Sequence, residues 1–127
     1  QYGVIDEIYS MCRGISKHVE NKQYSDLVDI VGITPIIAPK DIIEQDLFKQ
    51  EKKCDIKYGF ASVSLWIDYD EYLKADITDK QIMIVKNILA SIKTISRKAK
   101  IDYKQFCEDI FQYCKLINLP IESNLKV

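Results

Sequence analysis

A chain of 127 residues, 47% of them apolar, is long enough for one core that buries roughly two-thirds of the surface its unfolded form exposes. Its net charge of −1 gives no global attraction to nucleic acid or to an anionic membrane. No apolar run approaches the ~20 residues that span a bilayer, so a transmembrane helix is excluded and a single domain over residues 1–127 is expected.

Taken in chain order, Tyr2–Val19 reads as the first helix. Val4, Ile5, Ile8, Met11, Cys12, Ile15 and Val19 fall on one side of it, with Asp6, Arg13 and Lys17 opposite. His18, the one histidine of the chain, lies near the end of this helix, where a solvated imidazole suits the negative end of the dipole. Ser25-Asp26 caps a short apolar segment, Leu27–Val31, that Gly32 ends, and Ile33–Ala38 with Pro35 inside it reads as an extended crossing. Pro39 suits the first position of a further helix running to about Lys52. Asp41, Glu44 and Asp46 stand near its positive end, and Lys49, Lys52 and Lys53 near its negative end.

The segment Tyr58–Leu73 admits two readings. Ala61, Val63, Leu65 and Ile67 alternate with Ser62, Ser64 and Trp66 as in a strand, whereas a helix would place Ala61, Leu65, Tyr69 and Tyr72 on one stripe. A lone strand with no partner in view leaves its backbone groups unpaired, so the helix is preferred. Thr78-Asp79-Lys80-Gln81 then has the form of a capping box, followed by the stripe Val85, Ile88, Leu89, Ile92, Ile95 and Ala99. Asp102-Tyr103-Lys104-Gln105 repeats the cap. Phe106, Cys107, Ile110, Tyr113, Cys114 and Ile117 form the second stripe, which stops before Leu119-Pro120. A connector of about three residues predicts an antiparallel hairpin for this pair. The expected fold is therefore all-α, a bundle of about five helices that ends in the hairpin.

Chemistry is hard to assemble from these residues. There is no glycine-rich phosphate loop, no His-Glu-x-x-His pair and no Gly-x-Ser-x-Gly elbow, and His18 has no candidate partner, so no enzyme and no cofactor are expected. Of the cysteines Cys12, Cys54, Cys107 and Cys114, all but Cys54 fall on apolar stripes, where a thiol packs as a small hydrophobe. No Cys-x-x-Cys pair is available for zinc, and a reducing cytoplasm fits best, with no secretory leader visible from Gln1 onward.

Two charged tracts remain. Asp68, Asp70, Glu71, Asp76 and Asp79 enclose only Lys74. A calcium loop that began at Asp68 would need oxygen, glycine and glutamate where Tyr72, Leu73 and Asp79 stand, so no metal is expected. With Tyr69 and Tyr72 among the acids, the tract instead reads as a protein-binding surface made of Asp68, Tyr69, Asp70, Glu71, Tyr72, Asp76 and Asp79. Lys86, Lys93, Arg97 and Lys100 lie within roughly 60° of one another on their helix and could follow a phosphate backbone. No interleaved aromatic row supports base reading, so a regulatory or nucleic-acid-binding module on that stripe is the alternative function.

In its layout, and in the tract from Val63-Ser64-Leu65-Trp66-Ile67-Asp68-Tyr69 through Ile84-Val85-Lys86-Asn87-Ile88-Leu89, the chain resembles the small helical immunity proteins of bacterial polymorphic and contact-dependent growth inhibition toxins. The resemblance implies binding of a cognate toxin domain in the cytoplasm, with the toxin plugged or held inactive. It carries over no individual residue, and nothing in the sequence signals an oligomeric state.

Overall fold

The computed structural model describes residues 2–41 and 56–121. Among the described residues four helices and three strands stand in the order α1 (Tyr2–Val19), β1 (Ile30–Ala38), β2 (Ile56–Lys57), β3 (Phe60–Asp68), α2 (Tyr69–Lys74), α3 (Ile77–Ala99) and α4 (Tyr103–Leu116). The fold is α/β rather than the all-α bundle expected from the sequence. The helix predicted from Pro39 is helical at Lys40 and Asp41 and otherwise lies outside the described residues, as does Cys54.

The correction concerns Phe60–Asp68. The partner that the strand reading lacked is the stretch read as an extended crossing: β1 runs parallel to β3 in a register that sets Ile30 beside Phe60 and Ala38 beside Asp68. The sheet order is β1-β3-β2, with β2 antiparallel to β3 at Ala61 and Phe60. Burial along β3 alternates strictly, with Ala61, Val63, Leu65 and Ile67 inside. That is the period of two of a strand with one covered face. Pro35 costs no ladder bond in principle on an edge strand, and β1 is one.

Among the described residues β2 pairs with β3 at Ala61 and Phe60, and α3 reaches the later part of the strand with side chains. Ser91 Oγ donates to the Ser64 carbonyl at 2.9 Å and Asn87 Nδ2 to the Trp66 carbonyl at 2.9 Å. Ile84, Val85, Ile88, Leu89, Ile92, Ile95 and Ala99 are buried, so the apolar stripe read in the sequence is the face that meets the core. The cap of α3 lies two residues earlier than the Thr78 box, because Asp76 accepts from the Asp79 N–H at 2.8 Å. The second cap stands as read: Asp102 accepts from the Gln105 N–H at 3.2 Å.

Helices α1 and α4 close the core with Ile8, Met11 and Ile15 from one and Phe106, Cys107, Ile110, Phe111 and Cys114 from the other. They meet closely at Gly14, where an added Cβ would lie 2.1 Å from the Tyr113 hydroxyl. Beside this contact, His18 is half-buried against the Tyr113 ring, with centroids 5.4 Å apart, and its Nε2 is covered and has no hydrogen-bond partner among the described residues. The solvated imidazole expected from the sequence is therefore a packed one. Ser25 caps a turn, accepting from the N–H groups of Leu27 and Val28, and donates to the Ala99 carbonyl at 2.6 Å. This ties the segment before β1 to the end of α3.

Candidate functional site

The acidic tract folds around the junction of β3, α2 and α3. Asp68 ends the strand and caps α2, accepting from the Glu71 N–H at 3.2 Å, while Asp76 caps α3. Two of the acids are thus held by the ends of helices, where a carboxylate answers the unpaired N–H groups. Asp70, Glu71, Asp76 and Asp79 are exposed, and Asp68 and Tyr69 are half-buried. Tyr72 is fully buried and belongs to the core, so its ring cannot face a partner. Its hydroxyl donates to Glu7 of α1, and burial followed by this carboxylate contact pushes the phenol well above its ordinary range. Lys80 lies over the same ring, with its ammonium 5.1 Å from the centroid.

Asp68, Glu71 and Asp79 converge on one cleft of about 590 Å³. Trp66, Ile82 and Met83 supply its apolar lining, and Lys40, Lys74 and Lys86 line it as well. The local excess of acid counted along the chain does not survive in space, because Lys40 and Lys86 arrive from distant positions. What remains is a ring of mixed charge around an apolar patch. The Trp66 indole N–H is buried there without a hydrogen-bond partner among the described residues. A buried donor left unmade costs about 1–3 kcal/mol.

The stripe of Lys86, Lys93, Arg97 and Lys100 is exposed along α3, and its first member is the one that reaches the cleft. Among the described residues no three His, Cys, Asp or Glu side chains cluster as a metal site would require, and no helix is long and apolar enough to cross a membrane. Cys107 and Cys114 are buried, and burial raises the Cys114 thiol to about 11. Cys12 is half-buried and its thiol is also raised, by burial against the opposing charge of Arg13. A thiol so raised stays protonated near neutral pH and packs rather than attacks.

One cluster was not foreseen. Asp109, on α4, is buried and accepts from the Tyr24 hydroxyl at 2.6 Å, Lys22 Nζ at 3.1 Å and Gln105 Nε2 at 3.1 Å. The cluster binds the 22–25 segment to α4 and lies apart from the cleft. An acid between Cys107 and Ile110 looks like an ordinary polar flank, and only the fold brings Lys22 and Tyr24 to it.

An apolar patch inside a charged rim, with tryptophan and methionine in it, has the anatomy of a protein-binding surface. The family model for immunity protein 44 matches residues 1–115, and the chain belongs to that family of toxin-system immunity proteins. Comparison with curated proteins and with solved structures found no match.

Proposed function

We propose that the protein neutralises a cognate bacterial toxin domain by binding it in the cytoplasm, without chemistry of its own, in a polymorphic or contact-dependent inhibition system. The contact surface is the cleft between β3, α2 and α3 together with its rim: Asp68, Tyr69, Asp70, Glu71, Asp76 and Asp79. Tyr72 serves it from below by anchoring α2 to α1. The observation that carries the reading is the convergence of three of these acids on the patch of Trp66, Ile82 and Met83. A partner acceptor that reaches the Trp66 N–H would satisfy a donor that has no hydrogen-bond partner among the described residues. The exposed rim acids favour a basic toxin domain, such as a nuclease that must hold phosphate, since rim charges act mainly on the rate of encounter.

The test is a binding and protection assay against the cognate toxin domain, sought among the genes that flank the one for this chain. Asp70→Lys combined with Glu71→Lys should slow association and weaken neutralisation while leaving the melting temperature unchanged, because exposed charges add little to stability. If this double variant binds and protects like the parent while Lys93→Glu with Arg97→Glu abolishes both, the basic stripe of α3 is the functional face. Binding to nucleic acid along that stripe would weaken log-linearly with salt, whereas a toxin complex with an apolar centre would hold.

A further inference from the structure

At the end of the sheet remote from the cleft, the chain presents an aromatic side chain in a conformation that the backbone resists. The two residues joining β2 to β3 are Tyr58 and Gly59, with φ of 53° and 78°. Positive φ at both centres of a two-residue hairpin is the type I′ turn, which favours Asn-Gly and suits glycine at no cost. Tyrosine is the wrong residue for the first position by that rule, since a bulky side chain in the left-handed region is an outlier. Local propensity gives no reason for it, and neither does the core: Tyr58 is fully exposed.

The turn that carries Tyr58 is nonetheless held firmly. The Gly59 carbonyl accepts from two backbone N–H groups, those of Asp29 at 2.7 Å and Ile30 at 3.1 Å. The hairpin is thereby clamped to the start of β1. Phe60, Ile30 and Leu27 are exposed large hydrophobics on these same segments, and Ile30 and Phe60 are register partners. Phe60 lies over Gly32, where an added Cβ would meet its ring at 2.6 Å. Asp29 is exposed, and its carboxylate lies against Gly59 at the base of the tyrosine. Among the described residues it has no salt bridge.

We propose that this hairpin tip is a second contact surface for the toxin domain, with Tyr58 seated as an anchor in an apolar pocket whose rim carries a basic group facing Asp29. The proposal rests on the reading of the protein as a toxin-binding inhibitor. The occupant follows from charge and form: a carboxylate that makes no salt bridge among the described residues, beside a projecting aromatic, selects a concave, basic-rimmed partner. A second copy of this chain would bring the same acid and the same projecting ring to the contact. Backbone strain at an exposed, clamped residue is a cost to folding, and a binding anchor is the kind of feature that retains it. The tip and the cleft stand at opposite ends of a strand of nine residues, roughly 26 Å apart, so each can be altered without touching the other.

The test uses the full chain and the same cognate toxin domain. Tyr58→Asn places in the turn a residue that tolerates left-handed backbone, so the melting temperature should hold or rise. Toxin affinity should fall roughly 30-fold, as for loss of an aromatic hot spot. Tyr58→Phe keeps the ring and should bind within about threefold of the parent. Asp29→Lys should slow association, and an unchanged rate would overturn the basic rim. A Tyr58→Asn variant that binds as the parent does overturns the proposal and leaves the cleft reading standing, whereas a parent that binds no toxin ends both. A parent dimer that Tyr58→Asn converts to monomer, with toxin affinity unchanged, would assign the patch to self-association and overturn the proposal as well.

Discussion

Asp109 shows how one carboxylate can be both buried and ionised. Burial by itself would raise its pKa, but the donors Tyr24, Lys22 and Gln105 and the positive charge of Lys22 outweigh it, and the carboxyl is held below its ordinary value of 3.8. A depressed carboxylate contributes stability that is fully present above that ordinary value and is lost as pH falls through the lowered one. The acid limb of a stability profile below about pH 4 should therefore be steep in the parent and shallower in Asp109→Asn. At neutral pH the same variant should be about 1.5–3 kcal/mol less stable, measured by urea unfolding, because hydrogen bonds to a charged acceptor are the stronger kind. Tyr24 loses its charged acceptor in that variant, while Lys22, whose side chain is 41% exposed, can return to water. The cost should thus come mainly from Tyr24 and Gln105.

At the level of elements, α3 and β3 depend on each other through polar contacts as well as apolar ones. Ser91 is buried at 3% exposure and its hydroxyl is a partner for the Ser64 carbonyl. Ser91→Val should cost about 1–3 kcal/mol through the buried hydrogen bond it removes and the misfit of its bulk, whereas Ser96→Ala on the exposed side of the helix should lie within about 0.5 kcal/mol of the parent. The boundaries of α1 were legible to the residue, and so was the Asp102 cap of α4, because periodicity and cap chemistry are both local. The start of α3 was misplaced because Asp76 and Thr78 are both competent caps. Choosing between them depends on where the chain leaves α2, whose last turn is closed by the Ala75 N–H on the carbonyl of the buried Tyr72.

Over the whole molecule, the buried apolar side chains of the described residues form one cluster that draws on α1, β3, α2, α3 and α4. Ile92 and Ile110, at 4% and 0% exposure, lie within it. Replacing either by alanine should cost about 2–5 kcal/mol in chemical unfolding, and a near-neutral result at both would show that the stripes do not face the core. The acidic tract illustrates the other limit of reading along the chain. Sequence neighbours suggested a uniform negative surface, but Tyr72 turns inward, and Lys40 and Lys86 join Asp68, Glu71 and Asp79 in the cleft.

The sequence by itself determined α1, α3 and α4, the cap of α4 and the apolar stripes of α3 and α4, because a helix closes its hydrogen bonds within the segment and advertises its buried side every third or fourth residue. It also carried the alternation of Ala61, Val63, Leu65 and Ile67, yet could not decide what that alternation meant. A strand's backbone groups are satisfied only by another segment, and β1 lies about 30 residues away in the chain, its own pattern interrupted by Gly32 and Pro35. Tertiary structure alone decided that the two pair. With that pairing came the clamp of Asp29 and Ile30 on the Gly59 carbonyl, and the cleft at the far end of the sheet and the bonds from Lys22 and Tyr24 to Asp109 are likewise made between residues that the sequence keeps apart.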